Sequence, residues 1–218
     1  MKVCTDACLF GALVADRFQH ENVGRVLDIG AGTGLLSLMV AQKISCEIDA
    51  VEIDENAYEQ ASENFSASPW SARLHVHHQA IQDFDPPVKY DLVISNPPFY
   101  ERDLRSPDEQ RNVALHGTRL GFDDLLQSVK RLLSDDGSAA FLVPYERENA
   151  FEEAMLKNEI SVWQKVLVRQ SVNHHFFRVI YLVKKRMNEM LTYEEMAIKD
   201  VSNRYTGEFN RLLNDYYL

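Results

Sequence analysis

The chain has 218 residues, 45% of them hydrophobic, which suits one α/β domain with its own core. A net charge of −10 argues against a protein that coats nucleic acid non-specifically. No apolar run approaches the roughly 18 residues of a membrane span, no signal peptide opens the chain, and Cys4, Cys8 and Cys46 form neither a zinc-type spacing nor an even disulfide framework. A reduced, cytoplasmic compartment is therefore expected, with no membrane and no metal chemistry.

Apolar runs bounded by turn signals alternate with helical patterns, which points to parallel strands joined by crossover helices. In chain order the pattern predicts a helix at 6–18, a strand at 25–29, a helix at 34–43, a strand at 47–51, a helix at 55–65 and strands at 73–77 and 90–95. A helix at 122–133 follows, with Asp135-Asp136-Gly137 as its stop, then a strand at 139–144 and a helix at 146–157. Strands at 161–168 and 177–184 lie too close for a crossover helix and should pair as a hairpin at the sheet edge. The expected fold is α/β, with a seven-stranded, mostly parallel sheet, an antiparallel edge hairpin and helices on both faces. Residues 1–187 are expected to form the domain and 188–218 a C-terminal extension packed on it.

Val26-Leu27-Asp28-Ile29-Gly30-Ala31-Gly32-Thr33-Gly34 follows the first strand and opens a helix. Gly30 and Gly32 permit a tight turn and close approach of a ligand to bare backbone, and Gly34 lets the helix start against the sheet. The spacing is G-x-G-x-G, not the G-x-G-x-x-G of dinucleotide binders, and Asp28 precedes it inside the strand. The second strand ends in Val51-Glu52, where a carboxylate can accept both hydroxyls of a ribose, while Asp54 reads as the cap of the next helix. With Glu52-x-Asp54-x-x-Ala57-x-x-x-Ala61-x-x-Asn64, these residues resemble the nucleotide loop and acidic strand end of class I S-adenosylmethionine-dependent methyltransferases, a Rossmann-like fold. The resemblance implies S-adenosylmethionine as cofactor, with its amino-acid end at the loop carrying Asp28, Gly30, Gly32 and Gly34 and its ribose on Glu52. The stretch Gln79-Ala80-Ile81-Gln82-Asp83-Phe84 falls where family members contact the adenine ring. Either Asp83 or the backbone amide of Ala80 or Ile81 is expected to make that contact.

The fourth strand ends in Ser95-Asn96-Pro97-Pro98-Phe99. Two prolines stop the sheet ladder and stiffen the turn. The phrase looks like the (D/N)-P-P-(F/Y/W) motif of methyltransferases acting on planar nitrogens. An exocyclic amino group has its lone pair delocalised into the ring. The Asn96 side-chain oxygen and the Pro97 carbonyl can each accept one N–H and direct that lone pair at a methyl group. Pro97 and Pro98 fix the carbonyl, and Phe99 offers a ring for stacking. Adenine N6, guanine N2 and a glutamine side-chain amide all remain open as acceptors, and a base in a nucleic acid must be flipped or already unstacked.

The opening Met1-Lys2-Val3-x-Thr5-Asp6-Ala7, the form Asn96-Pro97-Pro98-Phe99-Tyr100, and the ending Tyr205-Thr206-x-Glu208-Phe209 with Asp215-Tyr216-Tyr217-Leu218 are similar to bacterial tRNA adenine-N6 methyltransferases. That group modifies adenine 37, beside the anticodon, of a valine-accepting tRNA. The resemblance implies a tRNA substrate and places Lys2, Thr5 and Asp6 near the cofactor's methionine end; a monomer is favoured. Rival readings are a guanine-N2 methyltransferase of ribosomal RNA, a glutamine methyltransferase of release factors, and a non-catalytic RNA-binding factor. Residues 157–186 carry Lys157, Lys165, Arg169, Arg178, Lys184, Lys185 and Arg186 against one acid, Glu159. This is either a solvated strand edge or an RNA-facing patch. Residues 102–119, with Arg102, Arg105, Arg111, His116 and Arg119, read as a substrate-side loop or an ordinary solvated one. His174-His175-Phe176-Phe177 could hold RNA, although edge packing is the preferred reading.

Overall fold

The computed structural model describes residues 4–97, 120–185 and 190–216. Helices are α1 (Thr5–Phe18), α2 (Leu35–Lys43), α3 (Glu55–Ala67), α4 (Phe122–Leu132), α5 (Glu148–Lys157) and α6 (Gly207–Leu213). Strands are β1 (Arg25–Ile29), β2 (Glu47–Glu52), β3 (Leu74–His78), β4 (Tyr90–Ser95), β5 (Leu133–Pro144), β6 (Ser161–Ser171), β7 (Phe176–Lys184) and β8 (Thr192–Lys199). They form one sheet in the order β3-β2-β1-β4-β5-β7-β6-β8, in which β7 alone runs antiparallel to its neighbours.

Alternation along each strand sends one set of apolar residues to each face. Val26, Ile48, Leu92, Ala140, Leu142, Ile180 and Met196 pack with α1, α2, α3 and α6. Leu27, Ile29, Val93, Phe141, Val179 and Tyr181 pack with α4 and α5 on the other face. The chain reverses its direction of travel between β1 and β4, so a crevice opens at the carboxyl ends of those two strands.

The sheet has eight strands, not the expected seven, and the β6–β7 hairpin is not its edge. β8 pairs parallel with β6 from Gln164–Thr192 to Ser171–Lys199 and stands outermost. Its segment, Thr-Tyr-Glu-Glu-Met-Ala-Ile-Lys, buries only Met196 and Ile198 fully, too weak a period to mark a strand without its partner. The α4–β5 junction also differs. The helix stops at Leu132, and the strand starts at Leu133 opposite Tyr90, then shifts register so that Ser138 lies opposite Leu92. Residues 134–137 take up the extra length as an irregularity within the strand, and Asp135-Asp136-Gly137 belongs to that bulge instead of a helix stop.

Candidate active site

The loop after β1 is fastened to the end of β2. The Gly30 and Ala31 amides donate to the Val51 carbonyl at 2.9 and 3.2 Å, and the Gly34 amide donates to the Ala31 carbonyl at 2.9 Å. Gly30 has φ +70°, and a Cβ built there would meet nothing within 4 Å, so backbone faces an open space. Gly34 has φ +79°, and a Cβ there would run into the Phe65 ring of α3. Asn64 of α3 braces the same loop, its side-chain amide donating to the Thr33 carbonyl at 2.9 Å. Asp54 caps α3 by accepting from the Ala57 amide at 2.9 Å, and Ala61 is fully buried.

Two carboxylates lie under this loop. Glu52, almost fully buried, accepts the Gly32 amide on Oε2 at 2.7 Å and the Ile53 and Asp54 amides on Oε1 at 2.8 and 2.9 Å. Each oxygen has two lone pairs, so Oε2 keeps acceptor capacity toward the crevice. Asp28 has no solvent exposure; its Oδ2 accepts the Ser37 amide at 3.2 Å and the Ser37 hydroxyl at 2.7 Å. Its Oδ1 is buried with no hydrogen-bond partner among the described residues. Burial pushes the Asp28 carboxyl up to about 7, against the lowering effect of Ser37 and with a further upward push from Glu52.

β4 delivers the third part. Ser95 lies opposite Ile29, and its hydroxyl donates to the Ile29 carbonyl at 2.8 Å. Asn96 and Gly30 are therefore the next residues on two adjacent strands, and Pro97 is buried behind Asn96. Pro98 and Phe99 lie outside the described residues, as do Lys2 and the arginines at 102–119. Thr5 opens α1, which packs closely on α2 at Gly11, where a Cβ would stand 2.7 Å from the Met39 sulfur. Asp6 accepts from Arg178 Nε of β7 at 2.8 Å, which ties the start of α1 to the far half of the sheet.

Beyond β3, the Gln79 amide donates to the Glu52 carbonyl at 3.1 Å, and the Asp83 amide closes a turn onto the Ala80 carbonyl at 3.1 Å. Arg131 of α4 holds this turn from below, donating to the Ile81 carbonyl at 3.1 Å and to the Phe84 carbonyl at 2.7 Å. Ile81 is buried, whereas Asp83 is exposed. Nothing in the sequence near Arg131 signals this role, because its partners lie about 50 residues away and only the fold joins them. Ser37 and Ser95 were equally silent, since serine in a helix or at a strand end has many commoner uses.

The cations at 157–186 do not form one patch. Lys165 is buried between Glu148 and Glu152, Lys157 pairs with Asp123, Arg169 with Glu195, Arg178 with Asp6 and Lys185 with Asp135. Lys184 ends the antiparallel β7 opposite Ser138 and Ser161, at the end of the sheet remote from the glycine loop. Arg186 lies outside the described residues. No group of three or more His, Cys, Asp or Glu side chains among the described residues could hold a metal ion, and no described helix is long and apolar enough to cross a membrane.

The arrangement suits a cationic nucleoside cofactor: bare glycine backbone facing open space, a strand-end carboxylate with spare acceptor capacity, and an orphaned buried carboxylate oxygen beneath the loop. Comparison with known proteins agrees. Residues 10–120 match the methyltransferase small domain family. A tRNA1(Val) (adenine(37)-N6)-methyltransferase of Dyadobacter fermentans is 37% identical over all of this chain and 91% of its own length. One of the same description from Flavobacterium johnsoniae is 36% identical over all of this chain and 93% of its own length. Among solved structures, a predicted O-methyltransferase from Agrobacterium tumefaciens superposes with a TM-score of 0.74 at 19% identity, over 96% of this chain and 95% of that one, which shows the shared fold. The chain thus belongs to the S-adenosylmethionine-dependent tRNA1(Val) (adenine(37)-N6)-methyltransferase family.

Proposed function

We propose that this chain transfers a methyl group from S-adenosylmethionine to N6 of adenine 37 in a valine tRNA, in the cytoplasm and as a monomer. The observation that carries the reading is the placement of Asn96-Pro97 directly past the Ser95–Ile29 pair, beside the glycine loop. S-adenosylmethionine supplies, when bound, an electrophilic methyl on a sulfonium. Gly30, Gly32 and Gly34 would hold its amino-acid end, with Asp28 beneath and Lys2 and Thr5 near the same end. Glu52 would take its ribose, and the amides of Ala80 and Ile81 its adenine. Those two amides donate to no protein group among the described residues, while exposed Asp83 uses its own amide to close the turn.

Asn96 and Pro97 act on the other reactant. The Asn96 side-chain oxygen and the Pro97 carbonyl each accept one N–H of the exocyclic amine, so that the nitrogen pyramidalises and its lone pair turns toward the methyl. By the motif, Pro98 would stiffen the turn and Phe99 would stack on the base. With the cofactor bound, Asn96 and Pro97 would hold the nitrogen for methylation, and its surplus proton would pass to water after transfer. A general base is not needed before the step. We assign residues 1–187 to the catalytic domain and 188–218 to an extension that completes its sheet with β8. In support, Arg211 pairs with Asp16, and the Tyr216 hydroxyl donates to the Met39 carbonyl at 3.1 Å.

Nucleoside mass analysis tests the reading. Purified protein is incubated with labelled cofactor and RNA extracted from cells lacking the enzyme. Label in N6-methyladenosine supports it; label in N2-methylguanosine, or no label in RNA, overturns it.

A further inference from the structure

We propose that the rim formed by the carboxyl ends of β5, β6 and β8 and the start of β7 is a stacking track for the single-stranded RNA that flanks the target base. This rests on the RNA-methylating reading above and adds the surface the RNA would follow. The strand order beyond β4 is β5-β7-β6-β8, β6 and β8 run parallel to β4, and antiparallel β7 begins at this rim. Next along from Asn96 therefore come Tyr145 just past β5, Phe176 at the start of β7, Arg169 near the end of β6, and Lys199 at the end of β8 with Tyr205 after it. Neighbouring strands stand about 4.8 Å apart, so the four steps from Asn96 to Lys199 span roughly 19 Å, room for a few nucleotides.

The side chains in this row form two contacting groups. The Tyr145 ring lies 5.7 Å from the Phe176 ring, and the Arg169 guanidinium carbon lies 5.1 Å from the centre of Phe176. Tyr205 stacks on buried Phe209, with centroids 4.6 Å apart and planes at 17°, and the Lys199 ammonium lies 5.9 Å from its ring centre. The Val172 amide donates to the Lys199 carbonyl at 3.2 Å, joining the β6–β7 turn to the end of β8. Tyr145 is 39% exposed and Tyr205 47% exposed. Edge packing alone would bury these rings; instead they are held flat or tilted by neighbours and presented to solvent beside cations, as on platforms that stack bases of any sequence.

Arg169 of the row is engaged by Glu195, and neighbouring Arg204 by Asp200 at 3.3 Å, so of the row's two cations only Lys199 lies outside these ion pairs. Few phosphate contacts are available, and an acidic chain then holds a polyanion with weak salt dependence.

The test uses the full-length protein and an RNA anticodon arm containing the target adenine, read by fluorescence anisotropy and by methylation kinetics. Tyr205→Ala and Phe176→Ala should each weaken RNA binding and raise KM for the arm about tenfold, with cofactor affinity unchanged. Tyr205→Phe keeps the ring and should stay near wild type, as should Lys184→Ala at the remote end of the sheet. If Phe176→Ala melts early, Tyr145→Ala, on an exposed position, replaces it. Alanine variants that melt normally and bind the arm as tightly as wild type overturn the track. If the wild-type protein methylates no RNA, the proposed function fails separately, and the anisotropy series still decides whether the rim binds RNA.

Discussion

The half of the sheet from β1 to β4 and the half from β6 to β8 reach the same rim by different means. In the first half, several candidate site residues answer a local backbone demand: positive φ at Gly30 and Gly34, a strand terminus at Glu52, a proline stop after Asn96. In the second half, Phe176, Arg169, Lys199 and Tyr205 come together only because β7 inserts between β5 and β6 and β8 closes the edge. The candidate reacting centre is thus built from unusual backbone, whereas the surface beside it is built from strand order. Perturbations should therefore separate chemistry and cofactor binding from RNA docking.

The largest separation is expected at Asn96. Asn96→Ala should lower methyl transfer by about a hundredfold or more, because the lost acceptor acts mainly in the transition state. Its affinity for S-adenosylmethionine, measured by calorimetry, should match wild type. Retention of more than about a tenth of turnover would remove Asn96 from the chemistry. Next in size, Glu52→Ala should raise the dissociation constant for the cofactor by about tenfold or more, as the charge-assisted hydrogen bond that Oε2 can accept from the ribose is lost. The same variant should bind an anticodon arm normally by anisotropy. Phe99→Ala should then weaken RNA turnover about tenfold through lost stacking, and Phe99→Tyr should restore most of it.

The smallest effect concerns Asp28, whose carboxyl is pushed up to about 7 from the ordinary 3.8 by burial. Between these values the unfolded chain releases the proton and the folded chain retains it. The stability Asp28 contributes is thus full below pH about 4 and is lost as pH rises through about 7. Binding of a cationic cofactor favours the ionised carboxyl, so affinity should rise by about fivefold from pH 6 to 8. Asp28→Asn should flatten both profiles. An unchanged pH dependence of cofactor affinity in that variant would show that another group titrates.

Legibility in the sequence follows the same division. The strands at Arg25–Ile29 and Tyr90–Ser95 and the start of α3 at Glu55 could be read to the residue, because Gly, Pro and a capping Asp punctuate them. Asp54 as cap and the bracing Asn64 sit where the motif spacing implied a turn and a helix. β8 could not be read, since Tyr193 and Glu195 face solvent and only pairing with β6 makes the segment a strand. Likewise, counting cations at 157–186 left a solvated edge and a patch both open, but Lys165 is spent on Glu148 and Glu152 and Lys184 faces the far end. Charge along a chain says little about charge in space once a hairpin reverses direction.

The central claim is that Asn96 and Pro97 present the exocyclic nitrogen of adenine 37. Single-turnover methylation of two anticodon arms, one with adenosine at position 37 and one with purine riboside, which lacks the amino group, tests it most directly. The account predicts label in the adenosine arm, located at N6, and none in the purine arm. Equal label in both arms would place the methyl on another atom and contradict it.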